Sequence, residues 1–277
     1  MKFTKMHGAG NDYVYINCFN ETVDDPKNLA IAMSNRNFGV GSDGLILIKP
    51  GEKAPFRMDM YNSDGSWSEM CGNGLRCVAK YIFDKGMTKD ETFPIETGAG
   101  ILEVTIFPNN GEAELVEINM GNPILEAKDI PMTGYNGRVI DESLEVLDRT
   151  FQFTAVSMGN PHCVIFVDED LDSFPVAKYG PVIENHKIFP NRVNVEFVKL
   201  ISSKELSQRT WERGSGETLA CGTGASAVQV AGVLTGRTDR AILNHLLGGD
   251  LYLKWDEDDS VYLKGPAITT FEGDWLL

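Results

Sequence analysis

Two cysteines stand 150 residues apart in matching surroundings, "SEMCGNGLRCVAKYI" around Cys71 and "TLACGTGASAVQVAG" around Cys221. Each is followed by glycine, a small polar residue and a second glycine, and then by helix-forming residues. A thiol at a helix start meets the unpaired N–H groups of the first turn, which favour thiolate. The glycines let those N–H groups come close to an anion such as a carboxylate. Alone, such a cysteine is most simply a buried, inert side chain. A matched pair can do acid–base chemistry: a thiolate removes a proton from a carbon, and a thiol returns one to the opposite face. Two helix N-termini would stabilise the charge that develops on the adjoining carboxylate, so no electron-sink cofactor is required.

The pair belongs to a wider repeat. Asn11 and Asn160 each follow a glycine and precede a strand pattern. Gly44 and Asn194 lie 27 residues before their cysteines, and Asn62 and Glu212 lie 9 residues before them. "INMGNPI" (118–124) and "YLKGPAI" (262–268) close the two copies.

The elements that position these residues follow from pattern. Apolar residues at 75, 78, 79, 82 and 83 predict a helix from Leu75 with one buried face. Arg76, Lys80 and Asp84 fall on its polar side, and Gly86 ends it. Residues 223–235 are almost all small and apolar, the composition of a helix buried all round, with Gly236 as its end. Asp25-Pro26 opens a third helix over 26–34. Strand patterns cover 12–18, 44–50, 56–62, 100–107 and 113–120 in the first half. In the second half they cover 150–158, 162–168, 192–200, 206–213, 250–255 and 260–265, while 141–149 reads as a polar connection.

The expected fold is α+β: two pseudo-symmetric domains, each a mostly antiparallel sheet wrapped around a long central helix, with the active site in the interdomain cleft. The domains are 1–118, carrying Cys71, and 119–265, carrying Cys221. Residues 266–277 are left over, and are expected to pass a strand back to the first domain.

A net charge of −15 argues against nucleic acid or an anionic membrane as partner and leaves a small-molecule substrate. No apolar run approaches the ~20 residues of a membrane span, and "MKFTKMHGAGND" lacks the apolar segment of a signal peptide. Five cysteines, an odd number, then point to a cytoplasmic chain without a disulfide framework. The four scattered histidines show no ligand spacing, so no metal is expected. "GVGSDG" (39–44) leads into a strand rather than a helix, which excludes a dinucleotide loop.

"MHGAGND", "YNSDGSWSEMCGNGLRC", "SMGNPHCV", "RVNVEF" and "WERGSGETLACGTGASA" together resemble the diaminopimelate epimerase family, in order from Phe3 to about Gly273. The resemblance implies a cofactor-independent, two-base interconversion of LL- and meso-diaminopimelate, serving lysine and peptidoglycan precursor biosynthesis. It implies that Cys221 takes the proton from the LL isomer and Cys71 supplies the new one. Substrate binding carries over to Asn11, Asn62, Gly72, Asn73, Asn160, Asn194, Glu212, Arg213, Gly222 and Thr223, and tuning of the cysteines to His162 and Glu212. Arg213 suits a carboxylate and Glu212 an ammonium group. Some family members carry glutamine where this chain has Gly44. A homodimer is also implied. Cys18, Cys77 and Cys163 lie in apolar patterns and read as core.

Overall fold

The computed structural model describes residues 1–276. The chain divides into two compact units, Met1–Asn119 with the C-terminal segment from Lys264, and Met120–Leu263.

In the first unit, Lys2–Gly8 and Asn11–Asn17 form an antiparallel hairpin. The chain then crosses through helix α1 (Pro26–Ser34), capped by Asp25, whose side chain accepts from the Asn28 N–H. Gly44–Pro50 follows, parallel to Asn11–Asn17 and antiparallel to Phe56–Asn62. Helix α2 (Gly72–Asp84) carries the chain to Thr92–Thr97, which pairs in parallel with Phe56–Asn62 and opens a meander through Gly100–Asn109 to Glu112–Asn119. Ile268–Asp274 returns from the end of the chain and pairs antiparallel with Lys2–Gly8.

The second unit repeats the plan. Arg149–Ser157 and Pro161–Phe166 form the hairpin. After helix α3 (Val176–Glu184), Asn194–Ser202 lies parallel to Pro161–Phe166 and antiparallel to Glu205–Glu212. Helix α4 (Gly222–Leu234) leads to Ala241–Leu246, parallel to Glu205–Glu212, and then to Gly249–Trp255. Even the registers agree: Tyr13 pairs with Gly44 and Gly44 with Asn62 in one unit, His162 with Asn194 and Val195 with Trp211 in the other.

Both cysteine-capped helices are central, and this corrects one expectation. Arg76 and Lys80 do not face solvent: Arg76 is 0% exposed and Lys80 is buried. Lys80 Nζ donates to the Ala113 carbonyl at 2.8 Å and pairs with Asp84 at 2.6 Å, while Asp84 accepts from the Ala113 N–H at 2.8 Å. Arg76 donates to the Pro266 carbonyl at 3.3 Å, so the polar stripe of α2 is answered by protein groups rather than by water. Helix α4 is buried on nearly every side, as its composition requires. It packs in a core with Val156, Val164, Val198, Leu251 and Leu263.

Helix α3 has no counterpart in the sequence reading. Pro175 precedes it, Pro181 lies inside it and Gly180 sits within it, three residues that argue locally against helix. Tertiary packing decides instead. Tyr179 and Ile183 join the core of Phe151, Phe153, Phe174 and Phe197, and the Trp211 ring lies so close to Gly180 that a Cβ there would stand 2.5 Å from it. The polar segment at 141–149 contains the strand Glu142–Val146, paired with Arg149–Phe153. Leu144 and Val146 point inward from it.

Candidate active site in two cysteine-capped half-sites

Cys71 and Cys221 are the N-cap residues of α2 and α4, each in extended backbone conformation. Each sulfur accepts from the backbone N–H three residues on, Gly74 at 3.5 Å and Gly224 at 3.4 Å. A cysteine here replaces the usual serine or aspartate cap, so the helix end grips the sulfur directly.

In the first unit, Asn11 organises the half-site. Its Oδ1 accepts from Cys71 Sγ at 3.3 Å and from Asn73 Nδ2 at 3.5 Å, and its Nδ2 donates to Asp43 at 2.7 Å. Asp43 and Asp12 share Arg36, and Lys5 joins Asp12, so Asn11 is held by a charged network behind it. Asn73 Oδ1 in turn accepts from the buried Arg76 Nη2 at 2.9 Å. Asn62 bonds Ser66 at 2.9 Å instead of this cluster. Burial, with Cys71 nearby, pushes the Tyr13 phenol far above its ordinary range and keeps it neutral.

In the second unit, His162 is fully buried between two oxygen acceptors: Nδ1 lies 2.8 Å from Glu196 Oε1 and Nε2 lies 3.0 Å from Asn160 Oδ1. Asn160 Nδ2 donates to Thr223 Oγ1 at 3.2 Å, and that hydroxyl lies 3.5 Å from Cys221 Sγ. Asn194 Oδ1 accepts from the Arg213 backbone N–H at 2.9 Å, which fixes the start of the "RGSGE" turn. The Arg213 side chain reaches the Asn191 carbonyl at 3.1 Å and is exposed. Glu212 accepts from Thr218 at 2.6 Å. Burial, then the Glu212 and Glu196 carboxylates, push the Cys221 thiol well above its ordinary range, against the Thr223 and Gly224 hydrogen bonds. The helix end alone favours thiolate; here burial and two acids outweigh it.

Glu196 was not singled out by sequence, and the missing signal is the repeat itself. Its counterpart in register is Ile46, and both lie against the second glycine of the turn. A Cβ on Gly74 would stand 2.6 Å from Ile46 Cδ1; one on Gly224 would stand 2.6 Å from Glu196 Oε1 and 3.3 Å from Cys221 Sγ. The two glycines therefore differ in what an alanine would cost. Gly74→Ala meets a methyl group that can turn aside. Gly224→Ala gains about 1 kcal/mol of helix propensity but displaces a buried, hydrogen-bonded carboxylate, an overpacking cost of about 1–3 kcal/mol. Thermal unfolding should show Gly224→Ala destabilised and Gly74→Ala close to wild type; equal melting temperatures would contradict this geometry.

At Gly44 a Cβ would stand 2.2 Å from the Tyr61 carbonyl oxygen and 2.9 Å from the Tyr13 ring. This backbone therefore has no room for a side chain at position 44. Cys77 and Cys163 are buried and Cys18 is half-buried. Burial pushes the Cys77 thiol up to about 11, which suits an inert core side chain. Among the described residues, no group of three or more His, Cys, Asp or Glu could hold a metal ion, and no helix is long and apolar enough to cross a membrane.

Comparison with known proteins places these features in context. The family model for diaminopimelate epimerase matches residues 3–126 and 154–270. The chain is 56% identical over 275 residues to a diaminopimelate epimerase of Brachyspira hyodysenteriae, covering 99% of this chain and 98% of that protein. It is 52% identical to one of Acetivibrio thermocellus, with 99% and 98% covered. Among solved structures, a PhzF-family phenazine biosynthesis protein of Bacillus anthracis matches with a TM-score of 0.71 at 17% identity, over 100% of this chain and 99% of that one. A hydroxyproline epimerase of Agrobacterium vitis matches with a TM-score of 0.66 at 15% identity, over 99% and 90%. These structures share the α+β fold. By the family match and by identity over almost its whole length, the chain belongs to the diaminopimelate epimerase family.

Proposed function

We infer that this protein is an amino-acid epimerase that interconverts LL- and meso-diaminopimelate without an electron-sink cofactor. Family membership supports the substrate. The observation that carries the chemistry is the pair of cysteines capping α2 and α4. A carboxylate placed at those helix ends meets N–H donors that stabilise it further as the Cα proton leaves. One sulfur, as thiolate, takes the Cα proton; the other, as thiol, gives its proton to the opposite face. The Cα–H bond breaks and a new one forms with inversion, and the enzyme ends with the charge on the second sulfur.

The binding set is part of the same reading. Asn11 and Asn73 in one half-site, and Asn160 and Thr223 in the other, are already oriented by their neighbours, and preorganised groups cost little to engage. Arg213 and Glu212 supply opposite charges for the distal amino-acid end of the substrate, with Asn62, Asn194, Gly72 and Gly222 completing the set. A homodimer in a reducing cytoplasm, where thiols persist, belongs to this proposal, and sedimentation would read the dimer.

Incubation with LL-diaminopimelate in D₂O tests the function. Deuterium at Cα and formation of the meso isomer are the expected results. Binding without any exchange at Cα would identify a non-catalytic amino-acid binder instead.

A further inference from the structure

The turn that follows Glu205–Glu212 carries Glu212 and Arg213, and a buried acid on another element holds it. Glu184, the last residue of α3, is 5% exposed. Its Oε1 accepts from the Gly214 backbone N–H at 2.9 Å and from Arg192 Nη1 at 3.1 Å, and its Oε2 accepts from Trp211 Nε1 at 2.7 Å. These partners can only donate, so both oxygens are engaged as acceptors. Trp211 and Gly214 bracket Glu212 and Arg213 in the chain.

The turn has little stiffness of its own. Gly214 and Gly216 take positive φ, 82° and 83°, and glycine is the residue with most freedom to lose. Anchors supply the order instead, and most of those on Arg213 lead to Glu184. The Arg213 N–H donates to Asn194 Oδ1 at 2.9 Å, and the next N–H in the chain, that of Gly214, goes to Glu184. The Arg213 side chain rests on the Asn191 carbonyl at 3.1 Å. Glu184 ties that loop as well: the Val193 N–H donates to its backbone carbonyl at 3.2 Å, and Arg192 to its carboxylate. The Trp211 ring, packed on Gly180, lies under the turn, where a Cβ on Gly216 would stand 3.6 Å from its Cη2.

The repeat shows that the shared fold does not demand this acid. Ser34 ends α1 as Glu184 ends α3, and it accepts from Ser42 Oγ at 3.1 Å. The matching turn after Phe56–Asn62 is closed from within: Ser66 donates to Asp64 Oδ1 through its N–H at 2.8 Å and its hydroxyl at 2.6 Å. That turn carries Asn62 and Ser63 where the second unit has Glu212 and Arg213. The external clamp therefore goes with the charged pair rather than with the backbone plan.

We propose that Glu184 is a positioning residue that presets Arg213 for the carboxylate at the distal end of the substrate. Without the clamp, Arg213 and its turn have to be ordered as the ligand binds, and that ordering lowers affinity. Glu184 acts through Gly214, Trp211 and the loop at 189–193, so its loss weakens binding and leaves proton transfer at Cα unchanged. This rests on the reading of Arg213 as a binding residue for diaminopimelate and adds the group that holds it in place.

Glu184→Gln keeps the shape of the side chain but leaves one acceptor oxygen among these donors. Titration calorimetry with meso-diaminopimelate reads its binding without turnover. Kd should rise about tenfold, and KM with it, while kcat stays within about twofold. Arg213→Ala should weaken binding too, and Glu184→Gln should then add less than about twofold, because its effect passes through Arg213. If Glu184→Gln does not fold, Trp211→Phe takes its place. It keeps a ring beside Gly180, removes one donor, and should raise Kd several-fold by the same route. An unchanged Kd in the folded variant, or a full additional loss in the Arg213→Ala background, would show a merely structural carboxylate and overturn the proposal. Wild-type protein that binds diaminopimelate but exchanges no Cα hydrogen in D₂O counts against the epimerase reading alone. Wild-type protein that binds none would overturn both.

Discussion

Replacing either capping cysteine by alanine should abolish net epimerisation, with turnover lowered by about 10²–10⁴-fold or more. The two variants should nevertheless fail differently. In Cys71→Ala, Cys221 remains able to remove and return a proton on its own face. LL-diaminopimelate should then exchange its Cα hydrogen slowly with D₂O while keeping its configuration, given the roles implied by resemblance. In Cys221→Ala the same one-sided exchange should appear with the meso isomer. Each variant loses a sulfur that caps its helix by accepting the N–H of the glycine three residues on, a cap penalty of about 1 kcal/mol, so folding should survive. Circular dichroism and Cα exchange on both isomers read these outcomes together. Normal racemising turnover in either variant would refute a two-base mechanism.

The second large effect is expected from the end of the chain. Truncation after Gly265 removes Ile268–Asp274, the strand that covers Lys2–Gly8. Phe3 then loses the edge-on Phe271 ring, 5.9 Å away, and the cover of Gly273. Lys85 loses Glu272, and the Met1 carbonyl loses the Trp275 N–H at 2.8 Å. Most important, the buried Arg76 loses the Pro266 carbonyl, one of its two acceptors. A hydrogen bond to a charged group contributes about 1.5–3 kcal/mol, and more is lost when the donor stays buried. Added to a lost ladder, this is a large part of the about 5–15 kcal/mol that holds a typical domain. The first unit should melt well below the second, and Cys71 chemistry should be lost with it. Differential scanning calorimetry of the truncated chain reads this directly; an unchanged transition for the first unit would show that the returning strand is dispensable.

The parts legible in sequence were those where local pattern and tertiary demand agree. The helix over 26–34 is written in its cap and first-turn proline, and the small apolar run after Gly222 in its composition. The cysteine turns were readable because the repeat supplied a second copy for comparison. What escaped reading was decided by packing across long separations. Arg76 and Lys80 sit on the stripe that looks polar by periodicity, yet the sheet wraps that side too and supplies carbonyls at Ala113 and Pro266. Pro181 conceals α3, whose Tyr179 and Ile183 are held by aromatic packing. Glu196 escaped because a lone acid inside an apolar strand looks like an interruption. Only the register with Ile46 and the packing against Gly224 show it as the partner of His162 beside Cys221.

The central claim is that two sulfurs act from opposite faces of one carbon. It is tested most directly by following LL-diaminopimelate in D₂O at early time, before the reverse reaction contributes. The two-sulfur account predicts that newly formed meso isomer carries deuterium at the inverted Cα from the first turnovers, because its proton comes from a solvent-equilibrated thiol. Recovered LL substrate should still carry protium. Deuterium entering recovered LL substrate as fast as product forms, or protium carried from substrate into product, would show a single base serving both faces and would contradict the account.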